Sequence, residues 1–355
     1  MLQGTVRVLI CDDSAVARQF IARAVEGVPG IEIVGRAGSG EEALRTVALV
    51  KPDVITMDVE MPGMGGIEAV RRIMRETPTP ILMVSSLTRE GSRVTMEALN
   101  AGALDFVAKA TNQDEAQALA RVVAEKLLQL GERGRQALLP HGQPAAPPAP
   151  SKVTPAPAAP WRAGQSPLVV IGSSTGGPRA LFNVVPRLPG GFRPTVLVVQ
   201  HMPPGFTKSL AERLDEQGPL PVREAEDGEE LREGVVRVAP AGHHMVVAGR
   251  VLRLQDTPSE HGVRPAVDVT LRTAAASYPG AVVAAILTGM GRDGTDGARR
   301  VHDAGGRVIA ESERTALIYG MPKSVVEAGV ADSIADLGNV ADEIVRFTEE
   351  VSRGH

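Results

Sequence analysis

The sequence predicts two α/β domains, each built on a parallel or mostly parallel sheet covered by helices, joined by a proline-rich spacer. Three observations predict this. Short apolar runs alternate with helical stretches in both halves of the chain. The 355 residues are enough for two ordinary cores, and a composition of 43% hydrophobic and 23% charged residues is that of a globular protein. Between Pro140 and Pro160, eight prolines and six alanines fall within 21 residues, a stretch that builds no core and reads as an extended linker. The expected divisions are residues 1–130, 131–164 and 165–348.

In the first division, Val6 to Ile10 reads as a strand, followed by Asp12-Asp13 and a helix from Ser14. Strands are also expected at Glu32 to Gly35, Val54 to Asp58, Ile81 to Ser85 and Phe106 to Lys109, with a helix opening at Gly40. A helical pattern runs from Asp114 to about Gln129 and is weakened by Gly131 and Gly134. Polar residues fall at strand C-terminal ends, where an open α/β sheet forms its crevice. Asp12, Asp13 and Asp58 would meet there, an arrangement that is costly without a cation. Oxygen ligands with no imidazole favour Mg²⁺ over zinc. Lys109 and Ser85 would then touch a phosphoryl group on Asp58. The plainer alternative is that these are capping and solvent-facing residues.

These positions resemble the receiver domain of two-component response regulators, and the likeness runs through residues 5 to 125. The resemblance implies a flavodoxin-like, doubly wound five-stranded sheet. Asp58 would be the phosphoacceptor, charged by a histidine kinase, and Asp12 with Asp13 the Mg²⁺ pair. Ser85, Lys109 and Phe106 would be the hydroxyl, lysine and aromatic switch positions. One departure is Ala110, where the family usually has proline after the lysine; its absence removes a local backbone restraint.

The second division opens on Leu168 to Ile171, a strand, and the turn Gly172-Ser173-Ser174-Thr175-Gly176-Gly177 before a helix. A serine on such a turn is poorly shielded and sits beside free backbone N–H groups, so Ser174 suits a nucleophile. Glycine-rich turns also bind anions or simply turn. Thr195 to Gln200 is a strand delivering His201, and Ala281 to Leu287 one that runs into Thr288 to Gly294 with Asp293. If these strands are parallel, Ser174, His201 and Asp293 converge as nucleophile, base and orienting carboxylate. Their order differs from that of α/β-hydrolases. His243 and His244 are rival bases. They stand near short strands at Val235 to Val238, Val246 to Ala248 and Val251 to Leu254, which suggest an antiparallel appendage.

Neither a zinc site nor a dinucleotide site is indicated, since H-E-x-x-H and G-x-G-x-x-G spacings are both missing. Ile171 to Gly177, Gln200 to Pro203, Arg264 to Asp268, Leu287 to Gly294 and Gly320 to Pro322 resemble the catalytic domain of the chemotaxis protein-glutamate methylesterases, also protein-glutamine glutaminases. The resemblance implies Ser174, His201 and Asp293 as the catalytic set, with Thr175 and the Met290 N–H around the oxyanion. It implies no cofactor in this domain, and the cytoplasmic regions of methyl-accepting chemoreceptors as substrate. The rival readings are a non-catalytic binding module and a small-ester hydrolase.

A net charge of −4 gives no basic field for nucleic acid or anionic lipid, and no run of about 18 apolar residues suggests membrane insertion. The single cysteine, Cys11, fits a reducing compartment. The expectation is a cytoplasmic monomer with an interdomain contact, in which the unphosphorylated receiver covers the Ser174 cleft. Trp161, at the end of the linker, is expected to dock on a domain face.

Overall fold

The computed structural model describes residues 5–86, 88–110, 113–138 and 166–353. The linker from Pro140 to Pro160 and Trp161 lie outside the described residues. The first domain runs β1 (Val6–Cys11), α1 (Ala15–Val25), β2 (Ile31–Ala37), α2 (Gly40–Val50), β3 (Val54–Asp58), α3 (Gly65–Glu76), β4 (Ile81–Ser85), α4 (Arg89–Asn100), β5 (Asp105–Ala108) and α5 (Gln113–Leu138). Its sheet is parallel, in the order β2-β1-β3-β4-β5. β3 and β4 are buried along their whole length, which is why they read as unbroken apolar runs. The order reverses between β1 and β3, and the pair Cys11 and Met57 sets Asp12 beside Asp58 one rung on.

Helix α5 continues to Leu138, past the point where the sequence pattern weakens. Gly131 and Gly134 are contact points there. A Cβ on Gly131 would lie 2.2 Å from Val6 Cγ1, and one on Gly134 2.7 Å from Pro80 Cγ. Close packing onto the sheet therefore outweighs the low helix propensity of glycine.

The second domain contains β6 (Leu168–Ser173), α6 (Gly177–Val184), β7 (Thr195–Gln200), α7 (Phe206–Gln217), β8 (Val222–Glu224), β9 (Val236–Val238), β10 (His244–Ala248), β11 (Val251–Gln255) and α8 (Val267–Ser277). β12 (Val282–Ile286), α9 (Thr295–Asp303), β13 (Arg307–Glu311), α10 (Met321–Glu327), β14 (Ser333–Ala335) and α11 (Val340–Arg353) complete it. Seven strands form a parallel sheet in the order β14-β13-β12-β6-β7-β9-β8, and β10 with β11 forms an antiparallel hairpin. β9 thus belongs to the main sheet and not to the antiparallel appendage. It is buried on both faces, including Arg237, whose guanidinium pairs with Glu229. β6 lies between β12 and β7, so the loops after these three strands share one edge.

The domains touch through α4 and α7, where Ser92 and Ser209 hydroxyls hydrogen-bond at 2.8 Å in a buried contact. Asn100 accepts from Gln217 at 2.9 Å. Apolar residues of both domains, Leu99 and Leu210 among them, belong to one continuous core cluster. Among the described residues no helix is long and apolar enough to cross a membrane.

Candidate active site and acidic pocket

Ser174 follows β6 and is half-buried. Its N–H donates to the Thr288 carbonyl at 3.0 Å, and its own carbonyl accepts from Gly177 N–H and Gln200 Nε2, both at 2.8 Å. Gly176 takes the left-handed conformation (φ 77°) that ends the turn and starts α6. The serine backbone is fixed from three directions, while its hydroxyl makes no hydrogen bond among the described residues.

His201 comes next to Ser174 because β6 and β7 are in register at Ser173 and Gln200, and His201 N–H donates to Ser173 O at 3.1 Å. The imidazole Nε2 lies 2.8 Å from Asp293 Oδ2. Asp293 is 2% exposed and accepts two further hydrogen bonds, from Val267 N–H at 2.7 Å and Asp268 N–H at 2.9 Å. Burial alone would raise its carboxyl, but the hydrogen bond and charge of His201 and these N–H donors hold it below the usual range. The structure therefore joins His201 to Asp293 directly. Ser174 is adjacent in the sheet, without a hydrogen bond to the imidazole.

The rival histidines are committed elsewhere. His243 Nδ1 meets Asp256 at 2.5 Å, and buried His244 accepts from Ala266 N–H and bonds the Pro258 carbonyl. Residue-by-residue reading missed a second histidine–carboxylate pair behind Asp293. His261 Nε2 lies 2.9 Å from Asp268 Oδ2, and Asp268 Oδ1 accepts Gly297 N–H at 2.7 Å. Burial, with the neighbouring charge of Asp293, pushes the Asp268 carboxyl up. The only sequence signal was its place in the Arg264 to Asp268 motif. Glu260, beside His261, is held by both arms of Arg272 at 2.6 Å.

Thr175 is buried, and its hydroxyl accepts from Lys126 of the first domain at 3.3 Å. Lys126 also pairs with Asp105. Gly289 lies directly on the serine turn, since a Cβ there would fall 2.9 Å from Ser174 Cβ and 2.3 Å from Met321 Sδ. Met290 follows it at the surface, 41% exposed, and its N–H makes no hydrogen bond among the described residues.

In the first domain, carboxylate oxygens of Asp12, Asp13 and Asp58 lie within 4.8 Å of one another. Lys109 Nζ stands 2.9 Å from Asp58 Oδ2 and 3.1 Å from Asp12 Oδ2. Asp12 and Asp58 are buried and Asp13 is exposed, so the donor set is open on one side and suits a hard divalent cation. Burial pushes the Asp58 carboxyl up, aided by the charge of Asp12 and opposed by Lys109. Burial would lower the Lys109 ammonium, but its hydrogen bond to Asp58 and the charges of Asp58 and Asp12 outweigh that and raise it. Ser85 departs from the expected convergence. Its hydroxyl donates to the Gly91 carbonyl at 3.2 Å, toward α4 and not toward Asp58. Phe106 is buried, with its ring against Phe206.

Residues 169–344 match the CheB methylesterase family and residues 8–121 the response regulator receiver domain. The protein-glutamate methylesterase/protein-glutamine glutaminase of Thermotoga maritima is 45% identical over 354 residues, spanning 98% of this chain and 100% of that protein. The protein of the same description from Archaeoglobus fulgidus is 43% identical over 364 residues, spanning 97% and 98%. The crystal structure of the Thermotoga maritima CheB methylesterase catalytic domain superposes with a TM-score of 0.51 at 48% identity, covering 52% of this chain and 99% of that one. With both domains matched in this order and relatives aligned along their full length, the chain belongs to the CheB methylesterase family.

Proposed function

We propose that the chain is a phosphorylation-controlled serine hydrolase. It removes methyl esters from glutamate side chains, and deamidates glutamines, in the cytoplasmic regions of methyl-accepting chemoreceptors. The observation that carries this reading is the 2.8 Å contact of His201 Nε2 with buried Asp293, beside the turn that holds half-buried Ser174. With Nε2 engaged, Nδ1 is the ring nitrogen left to take the Ser174 proton. Asp293 stabilises the imidazolium that results.

Ser174 Oγ attacks the γ-carbonyl of the methylated glutamate as its proton passes to His201. The Met290 N–H, with Thr175 alongside, receives the developing oxyanion. Collapse of the tetrahedral species expels methoxide, which leaves as methanol with the His201 proton. Water then attacks the acyl enzyme with His201 as base, giving glutamate and free Ser174. With glutamine as substrate the leaving group is ammonia.

Asp58 accepts a phosphoryl group from a histidine kinase, with Lys109 against its oxygens, Phe106 responding on the side of the second domain, and Ser85 as the hydroxyl partner once it turns from Gly91. Asp12, Asp13 and Asp58 would hold Mg²⁺, which offsets the negative charge gathered during transfer. The chain acts in the cytoplasm as a monomer. The hydrogen bond from Lys126 to Thr175, next to Ser174, and the packing of Phe106 on Phe206 support a receiver that occludes the serine until phosphorylation. Methanol release from methylated receptor fragments, with Ser174→Ala as control, tests the reading. Equal release by wild type and variant overturns it.

A further inference from the structure

Glu311 closes β13 with no solvent exposure, and both of its oxygens are used. Oε2 accepts the Thr288 N–H at 2.7 Å, and Oε1 the Thr315 hydroxyl at 3.0 Å. Thr288 is where three segments meet. Its carbonyl accepts the Ser174 N–H at 3.0 Å. Its hydroxyl donates to the Thr175 carbonyl at 2.9 Å and accepts the Ile318 N–H at 2.9 Å. Gly289 continues the same loop, donating to the Ile318 carbonyl at 3.0 Å, and Met290 follows. Glu311 thus stands one hydrogen bond away from the residue that fixes the serine turn on one side and the Met290 loop on the other.

A fully buried carboxylate is a costly way to satisfy one N–H and one hydroxyl, since a neutral amide accepts the N–H at its oxygen and meets the hydroxyl with its NH2 once that hydroxyl turns. Among the described residues no cation offsets it. On the flanking segments Arg314 pairs with Asp336, while Arg307 and His302 face Asp332, and no charged group contributes to the titration of Glu311. What the charge adds is a stronger hold on Thr288, because a hydrogen bond to an ionised acceptor is shorter and about twice as strong as a neutral one.

We propose that Glu311 is a positioning residue for the hydrolysis: its ionised carboxylate grips Thr288 and so keeps Ser174, Thr175 and Met290 in catalytic register, and protonation loosens them. Burial pushes this carboxyl up to about 7, against the pull of Thr288 and Thr315. The change of state therefore falls in the neutral range. Both neighbours are donors, so an added proton has an acceptor only if the Thr315 hydroxyl turns, and the bond to Thr288 loses its charge assistance.

The inference rests on the esterase reading above, and its test separates the two. The full chain, Glu311→Gln and Glu311→Ala are compared for methanol release from a methylated receptor fragment between about pH 5.5 and 8.5. As the pH falls through about 7, wild-type kcat is expected to drop roughly three- to tenfold further than that of Glu311→Gln, with KM unchanged. Glu311→Ala, which leaves the Thr288 N–H unpaired, is expected to lose roughly tenfold or more in kcat at every pH. Superimposable pH profiles for wild type and Glu311→Gln overturn the proposal. Amide exchange at Thr288 needs no substrate and stands even if no ester is cleaved. Protection that weakens below about pH 7 in wild type but not in Glu311→Gln supports the grip, and identical protection in the two refutes it.

Discussion

The rings of Phe106 and Phe206 lie with centroids 4.6 Å apart and planes tilted by 30°. Phe106 is on β5, three residues before Lys109 of the acidic pocket. Phe206 opens α7, five residues beyond His201. One aromatic contact therefore joins the segment that leads to Lys109 and the segment that follows His201. If phosphorylation of Asp58 changes the preferred position of Phe106, it acts on this contact.

If the interdomain contact restrains the esterase, weakening it from the receiver side raises the resting rate. Ser92→Glu puts a charge against Ser209 in a buried contact and is expected to increase hydrolysis without phosphodonor by roughly three- to tenfold, while reducing the further gain from phosphodonor. A resting rate equal to wild type counts against occlusion.

Asp58→Asn is expected to keep the resting hydrolysis and lose its stimulation by a small-molecule phosphodonor. Chelating Mg²⁺ is expected to have the same effect on wild type. Stimulation that survives in Asp58→Asn would move the phosphoacceptor elsewhere.

Asp293→Asn leaves the geometry nearly intact but removes the charge that holds the imidazolium, so kcat is expected to fall by roughly 10³- to 10⁴-fold. Circular dichroism should show the fold retained. A variant within tenfold of wild type in a steady-state assay would exclude the triad.

Glu311 also predicts a pH dependence of stability. Its folded carboxyl lies at about 7 against an ordinary 4.5. The stability linked to the protonated form is therefore fully present below 4.5 and lost as the pH rises through about 7. Glu311→Gln should be more stable than wild type at about pH 8.5 by up to about 3 kcal/mol, with the gap closing toward about pH 4.5. Denaturant midpoints at the two ends of that range decide it.

The strands were legible because those buried on both faces read as apolar runs, and the polar residues at their ends marked the crevices. Asp12 beside Asp58 and His201 beside Asp293 follow from that pattern once the sheets are parallel. What stayed hidden depended on tertiary contact. β9 carries an arginine at its centre, which the main sheet buries against Glu229. Gly131 and Gly134 looked like helix breakers until their close approach to Val6 and Pro80 was visible. Glu311 has no local signature, since it acquires its role from Thr288, 23 residues away along the chain, and Asp268 was marked only by its place in a motif. The orientation of the Ser85 hydroxyl toward the Gly91 carbonyl was not legible, because a strand end does not determine a rotamer.

The apolar cluster that runs through Met96 and Leu99 into Phe206 and Leu210 carries a calorimetric consequence. Two lobes sharing buried surface are expected to unfold together, and the resting protein should then give a single endotherm. Loading with phosphodonor would split that peak in two, giving a heat signature of uncoupling that requires neither substrate nor receptor.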